Sequence, residues 1–392
     1  MMNVRGFWGA LLIFSVAACD SDEPADGESP DATSLTTATA SASAGETEDG
    51  EGSSGGPDST SGDNPSGTSI SGGSDPGTTT GEDEPVEPPV IFDFGAFPDV
   101  DGSFCGAPDP VNCDDEDDDP WHAMGLNCPA GPQIEGSYSG DPQQQYVHQG
   151  NFGTSDAFPP REGEKFVILS SGVASEMVTT VGGTISTPMG GGNLPDLPDP
   201  MTRVPVSAAE TCADNPALVG TGDCSNTIDV QYAQGGTAND LAYMRLSAEV
   251  PANTFGFTYD FAFFSVEYPV FYQTQYNDMY VAWLESEAWT GNISFDEFGS
   301  PISLNAGFLD FKDAPNGFDC RAPCEAPELA GTAAQGHAGT RWLTTNAPVV
   351  PGEQIEVYFA IFDLADTALD SAVILDNWLW TCDGGPPVTI PG

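Results

Sequence analysis

The strongest signal along the chain is alternation. In "NTFGFTYDFAFFSVEYP", Phe255, Phe257, Tyr259, Phe261 and Phe263 fall on one side of an extended chain, and Gly256, Thr258, Asp260 and Ala262 on the other. A repeat of two predicts a β-strand, because a helix returns to the same face only about every 3.6 residues. The runs "DMYVAWLES", "EQIEVYFAIFD" and "SAVILDNWLW" downstream, and "EKFVILSSGV" and "LAYMRLSAEV" upstream, are likewise rich in β-branched and aromatic residues. Long helical patterns are scarce. Short strands joined by turn-rich loops predict an all-β fold: an antiparallel β-sandwich, jelly-roll-like in build.

The pattern starts only near residue 90. Residues 19–89 are mainly Ser, Thr, Gly, Asp, Glu and Pro, with no aromatic and no cysteine after Cys19. Such a stretch cannot bury enough apolar surface to offset the entropy of ordering, so it predicts a disordered acidic tether. As a random coil of about 70 residues it spans on the order of 45 Å. The head then runs over 90–384, with 90–160 as a possible disulfide-bonded annex, 165–382 as the core and 385–392 as a tail. The Gly/Pro-rich stretch 187–203 reads as a long surface loop.

Residues 1–18 read as a leader. Arg5 precedes the apolar "FWGALLIFSVAA", too short to span a membrane in the usual way, and "VAAC" ends at Cys19. This is a lipobox pattern: Cys19 becomes the lipidated N-terminus, and two or more acyl chains hold a protein firmly to a bilayer. The expected location is the bacterial envelope, at the outer membrane or cell surface, with the membrane as first partner. The remaining cysteines, Cys105, Cys113, Cys128, Cys212, Cys224, Cys320, Cys324 and Cys382, are even in number and lack the CxxC spacing of zinc sites. In an exported chain they predict up to four disulfides of open connectivity. The net charge is −52 with only eight Lys and Arg. That surface repels phosphate backbones, so nucleic acid is not expected as a partner, whereas divalent cations suit it.

The stretch "FFSVEYPVFYQTQYNDMYVAWL" is the most distinctive. It resembles the choice-of-anchor L domain family of bacterial surface proteins, whose pattern runs roughly "SEEYPE(Y/F)…(F/Y)ND.FAFFL". The segments before it ("TANDLAYMRLSAEV…") and after it ("NISFDEFGSPISLN", "ADTALDSAVILDN") are similar to the corresponding parts of that family. The acidic tether and "DDDPWHAMGLNC" resemble its myxobacterial lipoprotein members. The resemblance implies a surface β-domain of uncharacterised biochemistry. One departure stands out: Val266 occupies a place where the family has an acid.

Read from the residues themselves, Glu267, Asn277 and Asp278 fall at the ends of two strands expected to form one hairpin. Asp363, Asp366, Asp370 and Asp376 flank or lie on the last strand pair. Calcium takes six to eight hard oxygen ligands, so these residues are a candidate calcium site, with turn capping as the competing reading. "CDDEDDDPWHAMGLNC" carries six consecutive acids but fails the EF-hand template. Asp119 before Pro120 predicts a capped short turn ending at Gly125, with Trp121 as a packing anchor. Phe271, Tyr272 and Tyr276 either stack on a ligand, carbohydrate or surface protein, or plug the end of the sandwich. In the head, no HExxH, G-x-S-x-G or P-loop occurs. The expected function is a non-catalytic adhesion or ligand-binding module. A carboxylate-dependent hydrolase of glycans on the same scaffold is the alternative.

Overall fold

The alternating and apolar runs become strands of two antiparallel sheets. The computed structural model describes residues 105–392 other than 115–116, 189–191, 193, 202–227, 316 and 318. These belong to the second of two units of the chain, Asp83–Gly392. The leader, Cys19, the tether, Cys212 and Cys224 lie outside the described residues. In chain order the strands are β1 (Glu135–Ser139), β2 (Gln145–Gln149), β3 (Lys165–Ser170), β4 (Ala238–Glu249), β5 (Gly256–Ser265), β6 (Met279–Glu285) and β7 (Thr290–Asn292), followed by β8 (Phe311–Lys312), β9 (Ala338–Gly339), β10 (Leu343–Pro348), β11 (Gln354–Leu364), β12 (Ser371–Thr381) and β13 (Val388–Pro391). Among the described residues two short helices, α1 (Glu176–Thr179) and α2 (Asp229–Gly235), lie between β3 and β4. One sheet has the order β1-β4-β11-β6-β7. The other runs β13-β10-β5-β12-β3-β2, with β9 and β8 added beside β5.

The two sheets enclose a core in which the predicted face of β5 is buried: Phe257, Tyr259, Phe261 and Phe263 meet Met244, Leu246, Tyr280, Phe359 and Ile361 from the facing sheet. Aromatic pairs fill it. Phe257 stacks on Trp378 at 4.1 Å, and Tyr259 meets Phe359 edge-on at 5.0 Å. Both outer faces are covered too. Phe152, Phe158, Met177, Leu329 and Trp342 lie over Phe166, Ile168, Phe264 and Ile374. Tyr232, Leu197 and Met201 lie over Val281, Trp283, Ala360 and Phe362. Strands buried on both faces have no polar side, which is why "FVILS" and "YVAWL" are continuously apolar rather than alternating.

Consecutive strands mostly change sheets. β4 and β5, β5 and β6, β10 and β11, and β11 and β12 each sit in opposite sheets. The expected hairpin around Glu267 and Asp278 is therefore a sheet-to-sheet crossover: a bulky aromatic loop, buried at Tyr268 and Tyr272, spans the core instead of turning tightly. Two further boundaries differ from expectation. Residues 135–149 supply β1 and β2 to the two sheets, so this part of the annex is integrated. Val388–Pro391, expected in a tail, pairs with β10. Thr389 anchors it through a buried hydroxyl chain that runs to Thr345, Ser294, Tyr259 and Tyr280.

Among the described residues three disulfides are formed, Cys105–Cys382, Cys113–Cys128 and Cys320–Cys324. The Cys113–Cys128 loop contributes roughly 3 kcal/mol in the chain-entropy picture. Within it, Asp119 accepts from the Trp121 amide at 2.8 Å, and Gly125 ends the short turn at φ +75°. Trp121 is buried. The acids here are engaged in the fold: Asp114 accepts from the Glu164 and Lys165 amides at 2.7 Å, and Asp118 pairs with Lys165 at 3.0 Å.

Phe359→Ala should remove about 3–5 kcal/mol of stability, whereas Phe298→Ala, at a side chain 70 % exposed, should change it by less than about 0.5 kcal/mol. Urea unfolding of the two variants checks this, and equal effects would contradict the core assignment.

Candidate functional site

Four acidic side chains gather at one end of the sandwich because four strand ends meet there. Glu267 follows β5, Asp278 precedes β6, Asp363 lies near the end of β11, and Asp370 precedes β12. β5 and β12 belong to one sheet and β6 and β11 to the other. All four are at most 1 % exposed. The β11 register shifts between Ile361 and Asp363, a bulge that re-aims the Asp363 side chain.

Their partners differ. Asp278 is braced from both sheets, by the Ser371 hydroxyl at 2.6 Å and the Leu364 amide at 3.3 Å. The Thr187 hydroxyl donates to Asp370 at 3.1 Å. Neither carboxylate oxygen of Glu267, and neither of Asp363, has a hydrogen-bond partner of good geometry. A buried polar atom left in this way costs about 1–3 kcal/mol, and more when it is charged. The surrounding backbone is tight. A Cβ on Gly172 would stand 2.6 Å from the Asp370 carboxyl carbon, so only glycine lets this loop pass.

Burial drives the electrostatics. It pushes Glu267 up to about 9, with Asp363 and Asp366 adding repulsion and weaker contacts with Asp278 opposing. Burial also raises Asp278 and Asp363 well above the ordinary carboxylate range; Glu267 and Asp370 add to the shift of Asp278, and Asp278, Asp370 and Asp240 to that of Asp363. Asp370 rises to about 6, again mainly by burial. At neutral pH such a group holds protons or it holds a cation. As the side chains stand, no three His, Cys, Asp or Glu among the described residues are spaced to close on a metal ion. The oxygens are the hard donors that calcium takes, and its variable geometry tolerates closure by side-chain rotation.

The other residues singled out in the sequence lie differently. Asp366 is half-buried at the rim, and its carboxylate accepts from the Ala368 amide at 3.3 Å. Asn277 is turned to other work: it donates to Gln231 at 2.7 Å and accepts from the Asn305 amide at 2.9 Å. Asp376 sits six positions beyond Asp370, about 20 Å along the strand. There it accepts from the Arg161 and Glu162 amides, and burial raises it to about 8. Tyr272 is buried, its hydroxyl donating to Asp319 at 3.2 Å and its ring facing the Lys312 ammonium at 4.6 Å. Phe271 and Tyr276 are half-buried and pack edge-on at 5.1 Å. Tyr272 belongs to the core between the sheets, and Phe271 packs against it. Arg245, on β4, pairs with Glu356. Ser171, whose hydroxyl bears on Asp363 and Asp370, Thr187 and Ser371 were not foreseen; the polar pair Ser170–Ser171 at the end of β3 was the one available hint.

A family model for the choice-of-anchor L domain matches residues 133–378. Among curated proteins nothing matches. Among solved structures the chain is similar to the K2 cleaved adhesin domain of Lys-gingipain (Kgp), at 11 % identity and a TM-score of 0.24, over 64 % of this chain and 91 % of that one.

An acid whose pKa is raised on folding binds its proton more tightly folded than unfolded. Its contribution is therefore complete below about pH 4.5, the unfolded value, and is lost as pH climbs through the folded one. For Glu267 that window closes at about 9. With chelator present, the melting temperature should fall between pH 5 and pH 9, and fall less steeply in Glu267→Gln. A flat profile, or a slope unaltered by the substitution, contradicts this assignment.

Proposed function

The chain belongs to the choice-of-anchor L domain family, and on that premise we propose that it is a lipid-anchored surface protein of a bacterial envelope. Its β-sandwich head binds a partner without chemistry and is stabilised by calcium. The observation that carries this reading is the group of buried acids in which Glu267 and Asp363 lack hydrogen-bond partners of good geometry. Glu267, Asp278, Asp363 and Asp370 would hold the ion, with Asp366 within reach at the rim. Such an ion neutralises the acids and ties both sheets together at that end.

The lipobox "VAAC" at Cys19 supports the anchor, and the acidic, aromatic-free stretch 20–89 supports a spacer between membrane and head, as in the myxobacterial lipoproteins it resembles. The outer membrane or cell surface suits a domain whose partner lies outside the cell. The competing reading is a carboxylate-dependent hydrolase. Asp260 and Asp376 face each other across β5 and β12. Their oxygens are all taken, however, by Thr344, Arg161, Asn377 and the 161–162 amides. That pair reads as structural.

Calcium at about 100 times its dissociation constant stabilises by about 2.7 kcal/mol, which raises the melting temperature of a domain this size by about 5 °C. Scanning calorimetry with calcium and with chelator measures it, and Asp363→Asn should abolish the shift. An equal shift in that variant, or none in the parent, contradicts the site. For the anchor, Cys19→Ser should move the expressed protein from the detergent phase to the aqueous phase in phase partitioning. Retention in the detergent phase would count against lipidation.

A further inference from the structure

The strand β13 is the outermost of the second sheet. β10 pairs with it on one side. On the other side, among the described residues, no backbone group bonds to Val388–Pro391. Its side chains alternate. Thr389 joins the buried hydroxyl chain of the core, while Val388 and Ile390 are 47 % and 53 % exposed. The turn that carries Phe298, another exposed apolar side chain, stands beside this strand, since the Phe295 amide donates to the Thr389 hydroxyl at 3.2 Å. The edge strands β1, "EGSYS", and β2, "QYVHQ", are polar; β13, "VTIP", carries no charge. An apolar, uncharged free edge is a template for one more strand, and proteins either charge such an edge or cover it.

We propose that residues 90–94 of this chain, "VIFDF", are the cover: a further strand that pairs antiparallel with the free edge of β13. They lie outside the described residues, at the point where apolar character returns after the tether. Val90, Phe92 and Phe94 fall on one side of an extended chain, and Ile91 and Asp93 on the other. β-branched and aromatic residues are those that suit a strand. Val388 and Ile390 share one face of β13, and Val90, Phe92 and Phe94 offer a matching apolar one.

The place where this segment joins the head sets its direction and reach. Cys105 is bonded to Cys382, directly after β12, and the Gly106 amide donates to the Asn253 carbonyl at 3.0 Å. Thr381 of β12 pairs with Gly256, Gly256 with Pro348, and Asn346 with Val388. Cys105 and the start of β13 are therefore at the same end of the sheet. A strand leading to Cys105 reaches that end last, so it runs against β13. The place beyond β13 is four strand spacings from β12, about 19 Å. The chain from Phe94 to Cys105 extends to about 36 Å, so the connection closes with slack. In this direction the acids ahead of the strand, Asp83, Glu84 and Glu87, arrive at the Pro391 end, where the Arg161 guanidinium borders Gly392. The chain then enters the head toward the end that carries Glu267 and Asp370, rather than at Cys105.

Hydrogen exchange read by mass spectrometry on the full chain in detergent tests this. Amides of 90–94 should exchange at least about tenfold more slowly than an unstructured chain. The double variant Ile91→Pro/Phe92→Pro removes two successive amides, one of which faces β13 in either register. In it the protection of 90–94 and part of that of 388–391 should be lost, while β5 and β11 exchange as in the parent. Should that variant fail to fold, deletion of residues 84–97, which leaves Cys105 in place, should release 388–391 in the same way. Unstructured exchange rates at 90–94 in the parent overturn the proposal, as does protection of 388–391 undiminished in the folded variants. Protection of 388–391 that rises with protein concentration and survives both changes assigns the edge to a second copy, and overturns it too.

Discussion

Carboxylates taken out of water have to be neutralised by a proton, an opposite charge or a metal ion. Glu267, Asp278, Asp363 and Asp370 are all taken out of water at one end of the sandwich, and among the described residues no basic side chain is paired with them. Arg161, Lys165, Arg245, Lys312 and Arg341 are committed to acids elsewhere. The strand ends that carry the four acids alternate between the sheets, so the state of this group bears on both sheets at once. Ser371 reaching Asp278 and Leu364 closing on the same carboxylate are the visible part of that link.

The rest of the chain makes a cation a natural resolution. With eight basic residues against sixty acids, the protein is surrounded by counter-ions, and outside the cell calcium is a common one. Net charge alone would act over the whole surface and weaken with salt. A buried, partly unsatisfied group acts at one place and is screened far less. In the acidic loop between Cys113 and Cys128, by contrast, Asp114 Oδ2 accepts from two amides and Asp118 pairs with Lys165.

How much of this was legible follows from which signals are local. The alternation in β5 and the apolar runs of β3 and β6 are local, and they appear as strands where the sequence places them. The caps at Asp119 and Gly125 are local too. Sheet membership is not local: strands adjacent in sequence usually pair, and nothing in "EYPVFYQTQYND" shows that this loop crosses the core until Tyr268 and Tyr272 are seen buried in it. The same limit governs the acids. Glu267, Asp278, Asp363 and Asp370 all stand at strand ends, which the sequence shows. Asn277 is next to Asp278 but points away, since neighbouring side chains in extended backbone face opposite sides. Asp376 shares a strand with Ser371 yet lies about 20 Å from Asp370. Gly172, Thr187 and Ser171 reach the group only through the fold.

The central claim is that the buried acids are neutralised by calcium. The most direct measurement is a crystal structure of the head grown with calcium, with data collected for anomalous scattering. The account predicts a single peak bounded by oxygens of Glu267, Asp278, Asp363 and Asp370, with the Glu267 and Asp363 side chains turned toward it. An absence of anomalous density there, with the carboxyls in short oxygen–oxygen contacts that share protons, would contradict it.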